Sequence, residues 1–153
     1  MKALVVDDSA FMRFTLKTLV KSLDLFDEVA EASDIKEALE YCETELPDFI
    51  TLDIMLPKIS GIDAIEAILE LDPDIAILVC SSLEQKQLVD TAIELGAKDF
   101  VAKPFKKALF RKKAIKVIKE QWPNLPIDSY KDMFDREDPN LNEPKEKEPS
   151  NRT

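Results

Sequence analysis

Asp48-Phe49-Ile50-Thr51-Leu52-Asp53-Ile54-Met55-Leu56-Pro57 is the stretch on which the fold turns. Phe49, Ile50 and Leu52 form a short apolar run of the kind a buried strand needs. A carboxylate follows at once, and Pro57 then forbids simple continuation of the strand. Because a charge is costly inside a core, Asp53 is expected where the strand emerges. Taken alone, such an acid caps a turn or meets water. Its meaning depends on the segments to either side.

After Pro57, Ser60-Gly61 reads as a turn into a helix carrying Ile62, Ile65, Ile68, Leu69 and Leu71, stopped at Asp72-Pro73. Ile75-Ala-Ile-Leu-Val-Cys80 is apolar without alternation, as expected of a central parallel strand covered on both faces. Ser81-Ser82 follows, then a helix with Leu88, Val89, Ala92, Ile93 and Leu95, with Gly96 at its C-cap. Phe100-Val-Ala102 is a short strand, interrupted by Lys103-Pro104, and a last helix runs from about Lys107 to Glu120. Towards the N-terminus, Ala3-Leu-Val-Val6 is a strand halted by Asp7-Asp8. The next helix, capped by Asp8 or Ser9, carries Phe11, Met12, Leu16, Leu19, Val20 and Leu23, with Arg13, Lys17 and Lys21 on the other face. Val29, Ala30 and Ala32 mark a weaker strand. Ser33-Asp34 opens a helix with capping-box spacing to Glu37, closed by Pro47.

Five strands alternating with five helices predict an α/β domain whose parallel sheet has helices on both faces. In such sheets ligands bind beyond the carboxyl ends of the strands. Asp7, Asp8, Asp53, Ser81 and Lys103 all fall at that edge, each after a different strand or sharing one with its neighbour.

Composition narrows the chemistry. The chain has 153 residues, 45% of them hydrophobic, enough for one domain with a sizeable core. A formal net charge of −10 argues against general binding to a nucleic-acid backbone. With no histidine and only Cys42 and Cys80, zinc sites of the usual Cys/His type and histidine-based triads are excluded. Both cysteines read as small buried or half-buried residues, and no disulfide framework is suggested. Two acids at positions 7 and 8 do not suit a signal peptide, and no apolar run approaches the ~20 residues of a membrane span. A cytoplasmic protein, not inserted in a membrane, is expected.

Three converging carboxylates repel one another and call for a cation. Hard oxygen ligands select Mg²⁺, with Mn²⁺ as the other choice, and leave positions for a phosphoryl group. A carboxylate can accept that group as an acyl phosphate, with Lys103 and the Ser81 hydroxyl contacting its oxygens.

Asp7-Asp8, Asp53, Ser81, Phe100 and Lys103-Pro104 stand in the order and approximate spacing of the receiver domain of two-component response regulators, and the resemblance covers roughly residues 1–121. Val6-Asp-Asp-Ser-Ala-Phe-Met-Arg13 resembles chemotaxis-type receivers in particular. The resemblance implies a flavodoxin-like, doubly wound sheet in the order 2-1-3-4-5. It makes Asp53 the phosphoacceptor, with Mg²⁺ held by Asp8, Asp53 and the Met55 backbone carbonyl, and by Asp7 mainly through water. It makes Lys103, before a cis Pro104, the partner of the phosphoryl group. Ser81 and Phe100 become the switch pair, acting on a surface of the fourth helix, fifth strand and fifth helix. Ser81 stands where threonine is more usual and Phe100 where tyrosine is frequent. Met55 and Leu83 flank the site where polar residues are common, which is expected to hinder water and prolong the phosphorylated state.

Lys106, Lys107, Arg111, Lys112, Lys113, Lys116 and Lys119 make the last helix basic in an acidic protein. Either it is a solvated face or it docks an acidic partner, and the output face implied by the resemblance favours docking. Residues 122–153 form a Pro-rich, charged tail, with 135–153 expected to be disordered. Within it, Ile127, Tyr130, Met133 and Phe134 could line one face of a short helix that docks on its own domain or on a partner. The reading is a single-domain response regulator, phosphorylated by a histidine kinase, that binds a downstream protein in chemotaxis or motility; it is not an enzyme beyond its own phosphotransfer and dephosphorylation. The rivals are a phosphorelay intermediate, a phosphorylation-independent binding module, and a Mg²⁺-dependent phosphatase or phosphotransferase with an aspartyl nucleophile. That last class wants a further acid just beyond the nucleophile, and Ile54-Met55 supplies none.

Overall fold

The apolar runs form five parallel strands: β1 (Lys2–Val6), β2 (Glu28–Ala32), β3 (Phe49–Leu52), β4 (Ala76–Ser82) and β5 (Asp99–Lys103), in the order β2-β1-β3-β4-β5. The expected order is therefore observed. The computed structural model describes residues 1–82 and 86–127. Leu83 and the tail positions 128–153 lie outside the described residues, so the expectations for them have no structural counterpart below.

Helices α1 (Ala10–Lys21), α2 (Ile35–Glu45), α3 (Gly61–Leu71), α4 (Lys86–Leu95) and α5 (Lys107–Gln121) cross over between the strands. Successive side chains in a strand point to opposite faces, so a run apolar throughout feeds two cores. Leu4, Val6, Ile50, Leu52, Ile77 and Val79 pack with α2, α3 and α4. Ala3, Val5, Phe49, Leu78, Cys80 and Val101 pack with α1 and α5. Truncating a buried Leu or Ile in either layer to Ala would cost ~2–5 kcal/mol.

The helix starts follow the capping residues. Ser9 Oγ accepts from the Met12 N–H at 3.2 Å, which selects Ser9 over Asp8 as the cap of α1. Asp34 caps α2 by accepting from the Glu37 N–H at 2.8 Å. The Glu37 carboxylate bonds back to the Ser33 N–H at 3.0 Å, one residue earlier than the expected capping box. Gly96 ends α4 at φ +121°, a conformation that glycine adopts without strain.

Several sequence expectations shift. Phe11 is 76% exposed rather than part of the α1 core stripe. At ~100° per residue it lies well off the line of Leu16, Leu19, Val20 and Leu23, which only Met12 extends. Leu88 and Ile93 of α4 and Leu71 of α3 are likewise exposed, while Val89 and Ala92 carry the burial of α4. Ser81 and Lys103 are not in loops beyond the strands. The β4–β5 ladder continues through Ser81↔Ala102 and Ser82↔Lys103, so each is held by backbone pairing. From Trp122 to Ile127 the chain stays on the domain. Trp122 and Leu125 pack on the α1–α5 layer, and Ile127 is buried within it. Among the described residues no helix is long and apolar enough to cross a membrane.

Candidate functional site

The ends of β1 and β3 place two acids side by side. Asp7 N–H bonds to Ala32 O at 3.1 Å and Asp53 N–H to Val6 O at 3.0 Å, so both residues continue the strand ladders by one step. Their side chains then turn into the cleft at the carboxyl edge, where Asp7 is 1% and Asp53 7% exposed. Asp8, the next residue, is exposed at the mouth. Ligand oxygens of Asp7, Asp8 and Asp53 all lie within 4.8 Å of one another. The expected convergence of acids from two strands is thus present.

Lys103 reaches these acids from the far side of the sheet. Its Nζ donates to Asp7 Oδ2 at 2.6 Å and to Asp53 Oδ2 at 3.1 Å. Burial alone would lower the lysine, but the hydrogen bond to Asp7 and the charges of both acids more than offset it and leave its pKa raised. Asp53 is pushed above the usual carboxylate range by burial. The Met55 N–H at 2.8 Å and Lys103 pull it back in part. One oxygen of Asp53 is therefore fixed by a backbone amide and the other faces the lysine. The Lys103–Pro104 peptide bond is cis, in keeping with the expectation.

Ser81 is buried, one position before the strand residue that pairs with Lys103. Phe100 is half-buried against the α3–α4 core. Lys113 of α5 lies with Nζ 4.6 Å from the centre of the Phe100 ring and donates to the Phe100 carbonyl at 2.6 Å. Its charge also pairs with Asp99 at 3.5 Å, as does that of Lys116. Arg111 donates to Ser22 Oγ at 3.1 and 3.2 Å. The basic strip of α5 therefore splits: Lys106, Lys107 and Lys112 are exposed, whereas Arg111, Lys113 and Lys116 make contacts within the domain, Lys116 while itself exposed.

Three features of the site were not read from the sequence. Arg13 Nη1 donates to the Asp7 carbonyl at 2.9 Å, tying α1 to the cleft. Asp99 collects two lysines of α5. Gly61 was read as a turn residue, yet it is the first residue of α3 and packs directly on the phase of chain after Asp53. A Cβ there would stand 2.4 Å from Ile54 Cα and 2.9 Å from Asp53 O. That the chain has only two glycines was the available signal, since each then marks a place where a side chain does not fit.

The donors suit a small divalent cation: carboxylate oxygens only, from three acids of which one is exposed. Asp8, Asp53 and the Met55 carbonyl would contact it, with Asp7 behind them already holding Lys103 and the Ser9 N–H at 2.9 Å. Such a cation beside the Lys103 ammonium would set two positive charges at one edge of the sheet, where an anionic group could be held.

Comparison with known proteins agrees with this fold. Residues 3–116 match the response regulator receiver domain family. A chemotaxis protein CheY of Thermotoga maritima is 43% identical over 104 residues, covering 68% of this chain and 86% of that protein. The crystal structure of the response regulator domain of Thermotoga maritima CheB superposes with a TM-score of 0.64 at 34% identity, over 79% of this chain and 92% of that one. A CheY-like receiver domain protein of Methanospirillum hungatei shares the fold, with a TM-score of 0.72 at 22% identity over 78% of this chain and 94% of that one.

Proposed function

Since the chain belongs to the response regulator receiver domain family, we propose that it is a single-domain response regulator that takes a phosphoryl group on Asp53 from a histidine kinase and passes the signal to a protein target. The observation that carries this reading is Asp53 itself: a nearly buried carboxylate with one oxygen fixed by the Met55 N–H and the other 3.1 Å from Lys103. Similarity to chemotaxis proteins CheY of several bacteria supports an output in chemotaxis or motility.

In the transfer, Asp53 Oδ2 attacks the phosphorus of a phosphohistidine. The P–N bond breaks as the P–O bond forms, and the imidazole leaves with a proton taken from solvent. Because Asp53 is held at the edge of a rigid sheet, attack needs little reorganisation. Lys103 shifts its contact from the carboxylate to a phosphoryl oxygen, and Asp7 keeps the lysine in place as it does so. The Ser81 hydroxyl donates to another oxygen. A bound Mg²⁺ would neutralise charge on the remaining oxygens. Movement of Ser81 changes the space beside Phe100, whose backbone and ring Lys113 ties to α5, so the β5–α5 surface is where the modification would be read. Met55, 53% exposed beside Asp53, shields the acyl phosphate from water. Met55→Asn is expected to shorten its lifetime, measured by loss of phosphoprotein after the donor is removed.

Purified protein with Mg²⁺ and acetyl phosphate should form an acid-stable, base-labile acyl phosphate, seen as a mass increase and absent from Asp53→Ala. Equal labelling of Asp53→Ala would overturn the assignment.

A further inference from the structure

Helix α1 turns two aromatic rings outward: Phe11 is 76% and Phe14 71% exposed. They border a groove of about 390 Å³ whose floor includes Met12, Leu19, Pro104 and Phe105. On its other side Phe14 borders a second groove of about 400 Å³, where Arg13, Lys17 and Lys21 surround the single acid Glu31. Glu31 pairs with Arg13 at 3.5 Å and Lys17 at 3.1 Å, which leaves this rim with a positive excess. Lys107 adds a cation at the edge of the apolar groove. A clustered apolar surface inside a cationic rim is the form of a docking site rather than of scattered exposure.

The chain supplies a segment of the complementary kind. Ile127 is 3% exposed in the α1–α5 layer, its N–H bonded to Leu125 O at 2.8 Å. Ile127 therefore lies in the same layer that bears the groove. The chain continues as Asp128-Ser-Tyr-Lys-Asp-Met-Phe-Asp-Arg-Glu-Asp138, with five acids against two bases and the apolar side chains Tyr130, Met133 and Phe134 among them. Because α5 runs back towards the amino ends of the strands, Ile127 and Pro104 sit at opposite ends of this layer. Helix α1, with 12 residues, is about 18 Å long. The seven residues from Ile127 to Phe134 reach up to about 24 Å when extended. The segment is long enough to come back along α1.

We propose that residues 128–138 of the same chain dock on α1, with Tyr130, Met133 and Phe134 over Phe11, Phe14 and Phe105 and the acids towards Lys17, Lys21 and Lys107. A second copy of the domain fits less well as occupant. Pairing two α1 faces about a two-fold axis would bring Arg13, Lys17 and Lys21 of both copies together, and like charges would oppose it.

The test uses the full chain. Amide ¹H–¹⁵N spectra of the wild type and of the double variant Met133→Asp, Phe134→Asp are compared over a dilution series. The expected result is shifts in Phe11–Leu19 and Phe105–Lys107, with α2 and α3 unchanged and no dependence on protein concentration. A second variant, Phe11→Ser with Phe14→Ser, alters only exposed positions and should shift Tyr130–Asp138 in return. Superimposable α1 amides in the tail variant would overturn the proposal. Shifts that grow with concentration would also overturn it, by assigning the groove to a second copy.

Discussion

In the cleft, one lysine lies between two acids that the sheet has buried, at 2.6 and 3.1 Å. On α5, Lys106, Lys107 and Lys112 stand in solvent, while Lys113 and Lys116 share Asp99 at 3.5 Å. Both regions are built from the same residue types, and the difference lies in burial. A buried acceptor that loses its partner cannot turn to water, so its charge is coupled to the fold. An exposed ion pair trades one hydration for another and contributes ~0–1 kcal/mol. The cleft therefore stores electrostatic tension that a ligand can release, whereas the helix face offers charge without tension.

The largest expected effect tests that tension directly. Lys103→Met leaves Asp7 and Asp53 facing each other without a cation, at an expected cost of ~1–3 kcal/mol in urea unfolding with EDTA. Excess MgCl₂ should return part of the loss by binding the folded state. An unchanged midpoint in EDTA would remove the contrast between cleft and helix.

Asp53→Asn sharpens it through pH. Burial raises the Asp53 pKa in the folded state, so the folded protein holds its proton to higher pH than the unfolded chain does. The stability linked to that proton is complete below the unfolded carboxylate pKa and is lost as pH rises through the raised folded value. The neutral amide avoids this loss. In metal-free buffer the variant should melt above the wild type at neutral pH, and the two should converge as pH falls into the carboxylate range. A lower melting temperature for Asp53→Asn at neutral pH would contradict the assigned sign.

The smallest effects belong to α5. Asp99→Ala should cost up to ~1 kcal/mol, since it removes the partner of one half-buried and one exposed lysine. Lys112→Glu should stay within about 0.5 kcal/mol, because its side chain has water to turn to. If Lys112→Glu cost as much as Lys103→Met, burial would not be what separates the two regions.

Much of the fold was legible because the strands are apolar throughout. Ile75–Cys80 shows no alternation, and only a strand covered on both faces has that pattern. The site was legible through position rather than local context. Asp53 gained meaning from Asp7 and Lys103, which the parallel sheet brings within hydrogen-bond range of one another. Where reading fell short, the missing information was geometric. The spacing of Phe11 looked helical and apolar, but its angle around α1 puts it in solvent. The lysines of α5 looked alike, but Asp99 engages only those that lean towards β5. Gly61 looked like a turn, and its need is set by backbone 2.4 Å away.

By itself the sequence determined the alternation of strands and helices, the edge of the sheet where the acids gather, and the oxygen-only chemistry of that edge, because hydrophobic period and residue type are local properties. Only the tertiary structure decided that Lys103 rests between Asp7 and Asp53, that Lys113 fastens Phe100 to α5, and that Phe11 and Phe14 face outward from α1. Those outcomes depend on distances between segments far apart in the chain, and distances of that kind are fixed by packing.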